Sequence, residues 1–279
     1  MARTKIVTDS SADLTPELAA EWDITVVPAR LQVGTEMLED VPALRSPEFY
    51  RRVIKNRTTI NVLPPTAAQF AEVYGRLAQE TNDIVSIHIS AQLNRTVRAA
   101  NEGRVGFLGR CNIAVMDSRF ISCALGFLVI EAAKAAQAGA TGHEIVRLVR
   151  GLISRLYLAF NVETLEHLRR NNLVEQPRSP LGMNPNYRPL LMLEDGIFTP
   201  LQRMHGRGTA IERLVEFVAE FAHLERLTII HSGLGSEIAE LKTQLNGLVP
   251  AHLIDEHIYG PVFEAYTGPT ALGVVAYEG

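Results

Sequence analysis

Short apolar runs alternate with helical stretches through the first half of the chain, and Ile6-Val7, Ile24 to Val27, Ile84 to Ile89 and Ile113 to Met116 read as strands. That alternation predicts βαβ units and a mostly parallel sheet covered on both faces. Four helix starts are signalled. Thr15-Pro16 and Ser46-Pro47 set a capping oxygen before a proline at the first helical position, and Thr66 with Gln69 and Thr141 with Glu144 fit capping boxes.

The pattern changes near Leu156. Leu156 to Asn161 reads as a strand, Val162 to Arg170 as a short helix, and Asn171 to Asn186 as a stretch rich in proline and asparagine. Two strands follow, Leu190 to Leu193 and Ile197 to Pro200, joined by the turn Glu194-Asp195-Gly196, and this hairpin breaks a purely parallel pattern. Ile211, Leu214, Val215, Val218 and Ala222 mark one face of a helix; after it come a strand at Leu227 to His231, a helix at Ser236 to Leu245, and strands at Val249 to Ile254 and Gly273 to Tyr277. The expected organisation is two α/β domains: residues 1–155 around a parallel sheet, and residues 156–279 around a mixed one.

A length of 279 residues agrees with two medium domains. The 27 basic and 31 acidic side chains give 27 − 31 = −4, and the positive charges are scattered, which argues against a nucleic-acid partner. Cys111 and Cys123 form neither a CxxC nor a zinc spacing, so a reducing compartment, the cytoplasm, is expected. The first residues turn polar at Thr8 before a signal-peptide core develops. The longest apolar run, Cys123 to Ile130, is cut by Glu131 and Lys134, short of the ~20 residues a membrane span requires. It reads as a buried helix, and no stable membrane insertion is expected.

Four loops could carry chemistry. Thr8 to Asp13 follows the first strand, where ligands of open α/β sheets sit, and its Ser10 and Ser11 hydroxyls suit an anion; the same groups also satisfy turn amides. Ile87 to Ala100 puts Ser90, Asn94 and Thr96 between a strand end and a helix start, with Arg95 and Arg98 beside them, an arrangement suited to a carboxylate or phosphate. Asp117 to Gly126 repeats the placement with Ser118 and Ser122, and its small residues let a chain-like ligand pass close to the backbone. Tyr266 to Gly273 is a glycine- and proline-punctuated turn. The sequence has no GxSxG elbow, Walker A loop, HExxH or GxGxxG, and the spacing of His252 and His257 fits no zinc arrangement. Neither a catalytic set nor a metal is expected.

The order of these pieces resembles the DegV family over essentially the whole chain. The matching features are Thr8 to Leu14, Pro65-Thr66 with Phe70, Ile89-Ser90 with Leu93 and Thr96, Asp117-Ser118 with Ser122 and Gly126, Val162 to Leu165, and Thr267-Gly268-Pro269 with Ala271 to Gly273. The resemblance implies a Rossmann-like N-terminal domain with helices on both faces of its sheet and a C-terminal α/β domain with a mixed sheet. It implies a fatty acid held in an inter-domain site, tail in the first domain, with no other cofactor. In some members the carboxylate is presented to a fatty-acid kinase.

This chain departs from the family pattern in its head-group residues. Val62 to Thr66 stands where the family has Thr-Ser-Gln-Pro-Ser; Ala91 replaces the second serine of a pair, and Asn94-Arg95 replaces Ser-Gly. An expected arginine falls on His205, a Gly-Gly-Arg motif on Asn171 to Leu173, and a histidine on Tyr266. Arg95, Asn94, His205 and Tyr266 are therefore expected to form an altered head-group site, with Ser10, Ser11, Val62, Thr66, Ser90, Ala91, Ser118, Ser122, Thr267 and Gly268 completing the lipid contacts. The expected function is non-catalytic carriage of a fatty acid or similar single-chain lipid. The alternative is an enzyme or binding protein for a small polar ligand such as a hydroxyketone or sugar phosphate, whose pocket would be short and polar.

Overall fold

The computed structural model describes residues 3–174, 189–201 and 209–279. The chain divides into two compact units, Met1–Leu44 with Ile60–Ser154, and Arg45–Thr59 with Arg155–Gly279.

In the first unit, β1 (Lys5–Asp9), α1 (Pro16–Glu21) and β2 (Ile24–Val27) lead into a hairpin of β3 (Arg30–Val33) and β4 (Glu36–Glu39). The chain then forms α2 (Pro47–Asn56) in the second unit and returns as β5 (Ile60–Leu63), α3 (Ala67–Leu77), β6 (Asp83–His88), α4 (Thr96–Gly103), β7 (Asn112–Asp117), α5 (Ser122–Gln137) and α6 (Gly142–Ile153). The main sheet has the order β2-β1-β6-β7 and is parallel throughout. Phe70, Tyr74 and Leu77 of α3 and Ala100 of α4 pack against Val7, Ile84 and Ile113 on one face. Ile6, Val85 and Ile87 alternate with those strand residues and are buried too, so the other face is also covered. The expected parallel sheet is present, and the expected start positions at Thr15, Ser46, Thr66 and Thr141 each cap a helix.

A second, antiparallel sheet, β4-β3-β5, lay outside the expected pattern. Its strands have four residues each and β4 is Glu-Met-Leu-Glu, so no apolar run announces them.

The second unit continues with β8 (Leu156–Asn161), α7 (Glu166–Arg170), β9 (Leu190–Glu194), β10 (Ile197–Pro200), α8 (Ala210–Ala219), β11 (Leu224–His231), α9 (Glu237–Leu245), β12 (Ile254–Ile258), α10 (Pro261–Thr267) and β13 (Leu272–Glu278). Its sheet, β10-β9-β8-β13-β11-β12, is antiparallel except for the β11–β12 pair, the mixed sheet expected of a C-terminal α/β domain. Ile211, Leu214 and Val218 of α8 and Leu241 and Leu245 of α9 share a core with Leu227, Ile229 and Val274. The strand expected at Val249 to Ile254 lies later, at β12. Pro250 precedes a 3-10 turn at Ala251–Leu253, and the strand itself carries Asp255, Glu256 and His257 at the sheet edge.

The span expected for the first domain, 1–155, included Arg45–Thr59, which the structure places in the second unit. The reason is aromatic packing. Phe49, Tyr50 and Val53 of α2 are buried, and the Tyr50 hydroxyl donates to the Tyr259 carbonyl. From there a run of rings passes through Tyr50–Tyr259 (5.7 Å between centroids), Tyr259–Phe263 (5.0 Å), Phe263–Phe160 (5.3 Å) and Phe160–Phe198 (5.2 Å).

In the first unit, α5 approaches the turn after β1 so closely that a Cβ on Gly126 would stand 2.5 Å from the Ala12 carbonyl oxygen. A backbone atom cannot rotate aside. Gly126→Ala is therefore expected to destabilise the protein by roughly 1–3 kcal/mol in urea unfolding, although alanine is the better helix former by about 1 kcal/mol. A variant as stable as the parent would show that this approach is not fixed.

Candidate functional site

In the main sheet of the first unit, the chain leaves β1 for β2 on one side and later returns to β6 on the other. The strand order therefore reverses between β1 and β6. Ligands of open α/β sheets bind outside the carboxyl ends of the strands at such a reversal. The two loops leaving this point carry Ser10 and Ser11 after β1, and Ser90, Ala91, Asn94 and Arg95 after β6.

Asp9, the last residue of β1, ties the two loops together. Its Oδ1 accepts from the Ser11 amide (3.1 Å) and the Ser11 hydroxyl, and its Oδ2 accepts from the Ile89 amide (3.1 Å) and contacts His88 Nδ1 (2.9 Å). Ser10 accepts from the Ala29 amide at 3.0 Å, pinning the same turn to the entry of β3. These loop positions are thus set by buried hydrogen bonds rather than by solvent.

Beneath α3 the network continues inward. The Tyr74 hydroxyl donates to Ser86 Oγ (2.8 Å), Ser86 lies 2.7 Å from His88 Nε2, and the His88 ring packs edge-on against Phe70 at 4.9 Å. One consistent direction of donation runs from Tyr74 to Ser86, from Ser86 to Nε2, and from Nδ1–H to Asp9. Burial pushes the Tyr74 hydroxyl's pKa far up, which keeps it a donor. Serine, histidine and aspartate in this order match the connectivity of a hydrolytic triad. All of Ser86, His88 and Tyr74 are fully buried, however, and the nucleophile's oxygen is already taken by Tyr74. No carbonyl carbon can approach Ser86, so this trio serves to hold the loops.

The third loop joins the same edge. Ser90 N donates to the Phe120 carbonyl (2.9 Å), and Ser118 N donates to the His88 carbonyl (3.0 Å). Ala91 N and Arg119 N both donate to Asp117 Oδ1, at 3.2 and 2.8 Å. Ser122 and Asp13 both have left-handed backbones, φ 60° and 54°, and the Ser122 hydroxyl donates to Asp13 Oδ2 at 2.5 Å. Two non-glycine residues in that region hold strain where these loops meet. The structure therefore brings Ser10, Ser11, Ser90, Ser118 and Ser122 onto one edge of the sheet, all buried. Arg95 is exposed at the N-terminus of α4, where Asn94 Oδ1 accepts from the Thr96 amide. Val62 lies half-buried on β5, and the exposed Thr66 is engaged in the capping box of α3.

In the second unit, Tyr266, Thr267 and Gly268 lie at the C-terminal end of α10, all buried. The helix, started by Gly260 and Pro261 and ended by Gly268 at φ 89°, takes in the first two residues of the stretch expected to be a turn, and the turn itself follows at Pro269-Thr270 before β13. The Tyr259 hydroxyl donates to the Gly268 carbonyl (3.3 Å), and the Thr267 hydroxyl to the Phe263 carbonyl (2.9 Å). Sequence reading passed over Glu264, the one charged residue of this helix, which is buried; its presence in the apolar run Pro261 to Tyr266 was the available signal. Desolvation pushes its pKa well above the usual carboxylate range. His205 lies outside the described residues. Among the described residues, no cluster of His, Cys, Asp and Glu could hold a metal ion, and no helix is long and apolar enough to cross a membrane.

A family model described as an uncharacterised protein of the DegV family matches residues 3–279. A DegV domain-containing protein of Streptomyces coelicolor is 34% identical over 279 residues, covering 97% of this chain and 96% of that one. The DegV family protein of Thermus thermophilus, whose structure was described for its fatty acid binding, superposes with a TM-score of 0.86 at 25% identity over 99% of both chains. DegV of Bacillus subtilis, described as a fatty acid binding protein, shares the fold at a TM-score of 0.85, 22% identity and 100% coverage of both chains.

Removing the imidazole from the Asp9–His88–Ser86 run leaves buried polar atoms unpaired at both ends. His88→Ala is expected to destabilise the protein by roughly 3 kcal/mol or more, and Ser86→Ala by about 1–2 kcal/mol. Urea titrations monitored by circular dichroism would rank them. Equal, small losses would mean that the relay does not hold the loops.

Proposed function

Since this chain belongs to the DegV family, we propose that it binds one fatty acid or similar single-chain lipid and carries it without acting on it. The observation that carries this reading is the whole-length likeness to the Thermus thermophilus protein described for fatty acid binding. The loops at the strand reversal support it. They gather the small neutral side chains of Ser10, Ser11 and Ser90 on one edge of the sheet, with the small, buried residues Ala124 and Gly126 of α5 beside the β1 turn. Among the described residues, the run that resembles catalytic machinery, at Ser86, is sealed.

Within this reading, Asn94 and Arg95 add the polar and cationic groups at the mouth of the first unit's loops. Presentation of the bound carboxylate to a fatty-acid kinase, which would phosphorylate it from ATP, is the further step that the family resemblance implies.

Solvent extraction of purified protein, with native mass spectrometry of the intact complex, is expected to release one acyl chain per protein. A preparation that yields none and takes up none when offered palmitate would end the carrier reading. Arg95→Ala is expected to weaken palmitate binding about 2- to 5-fold, the worth of an exposed charge. Unchanged affinity in a fluorescent-lipid displacement titration would remove Arg95 from the site.

A further inference from the structure

Charge is unevenly spread over the second unit. Four of the chain's 27 basic side chains fall within seven positions, at Arg51, Arg52, Lys55 and Arg57, and Glu48 is the only acid of helix α2. Phe49, Tyr50 and Val53 turn into the unit, which leaves the cations exposed on the outer face with Ile54, itself 43% exposed, among them. Arg52 lies over the Phe49 ring at 5.5 Å, whereas Arg51 and Lys55 have no ion pair among the described residues. Helix α8 presents the reverse. Its Ile211, Leu214, Phe217 and Val218 are buried, while Glu216, Ala219 and the C-cap residue Glu220 are exposed, and neither glutamate has an ion pair among the described residues. Like charges four positions apart destabilise a helix, and Glu220 also opposes the dipole at the end of α8. The dipole favours Lys55 in the last turn of α2 but does nothing for Arg51 in its middle. Local helix stability therefore accounts for neither pair. The two triplets share one spacing: Arg51, Ile54 and Lys55 on α2, and Glu216, Ala219 and Glu220 on α8.

We propose that a second copy of this chain covers both faces: α2 of one copy docks on α8 of the other, Arg51 and Lys55 pairing with Glu216 and Glu220, and Ile54 set against the small Ala219. Two such contacts related by a twofold axis close a dimer, because each copy gives its α2 and receives on its α8. Each pairing relieves the self-repulsion of both helices at once. A helix of ten residues is about 15 Å long, so the contacts are smaller than a permanent interface, and the dimer is weak and salt-sensitive. An anionic membrane fits α2 less well. Interfacial helices bury their apolar face in lipid, and that face of α2 is already committed to the aromatic packing of Tyr50 on Tyr259. A polynucleotide is disfavoured by the chain's net charge of −4 and by the glutamates on the same unit. The pairing involves no lipid, so it stands or falls apart from the carrier reading.

Sedimentation velocity over a concentration series tests the pairing on the full chain. At low salt the wild type is expected to form dimers with a dissociation constant on the order of 10–100 μM, and roughly 0.5 M salt should weaken them about 10-fold. Arg51→Glu with Lys55→Glu makes α2 acidic, and Glu216→Lys with Glu220→Lys makes α8 basic; each double variant alone should lose at least about 10-fold in self-association, because attraction becomes repulsion in every pair. Mixed one to one, the two variants face each other with opposite charges at both contacts, and the dimer should return. If a double variant fails to fold by circular dichroism, Ala219→Arg takes its place and should weaken the dimer about 10-fold by crowding Ile54 and repelling Arg51. A monomeric wild type at low salt overturns the proposal, as does a dimer indifferent to salt and to these substitutions, or a mixture of folded variants that stays monomeric. Monomeric wild type that sediments with phosphatidylglycerol vesicles, and less so after Arg51→Glu with Lys55→Glu, assigns α2 to a lipid surface and overturns it too.

Discussion

The buried carboxylate of Asp9 is the constraint on which the loop edge of the first unit's sheet depends. Four groups, from the turn after β1 and from the end of β6, converge on its two oxygens: the Ser11 amide and hydroxyl, the Ile89 amide and the His88 ring. A charge taken out of water this completely persists only when its acceptor sites are filled. Filling them sets the positions of Ser10, Ser11 and Ser90 without the help of a ligand. The edge is thus organised beforehand, and in the proposed carrier its ordering would not draw on binding energy.

The same economy explains a buried run that copies the connectivity of a triad. His88 is oriented by Asp9 and bonded to a serine, as in hydrolases, yet the chain of donors ends at Tyr74 rather than at an open cleft. Geometry among three residues is insufficient; a nucleophile also needs a face open to substrate. Here the Ser86 hydroxyl is bonded to Tyr74 of α3, and Phe70 of the same helix packs on the His88 ring.

Much of the first unit was legible because buried parallel strands are written as apolar runs and because caps such as Thr66 with Gln69 are local chemistry. The β3–β5 sheet and β12 were not, since short or edge strands carry polar residues and owe their form to partners distant in sequence. The loops holding Ser10, Ser90 and Ser118 could be singled out from their place after strands. Their mutual fixation could not, because Asp9 and His88 are 79 positions apart. Helix α10 was hidden for another reason: Gly260-Pro261 was available as a start signal, but the glycine and proline after it drew attention to the turn. Glu264 went unremarked with it.

The excursion of residues 45–59 into the second unit has a consequence for biosynthesis. Tyr50 hydrogen-bonds to Tyr259 across 209 positions, so α2 leaves the ribosome long before the surface it packs on exists. Until then its aromatic face has no native cover, and neither unit can be obtained by cutting the chain once. Assembly of the second unit must await nearly the entire polypeptide, which makes closing that long loop a late event in reaching the native state.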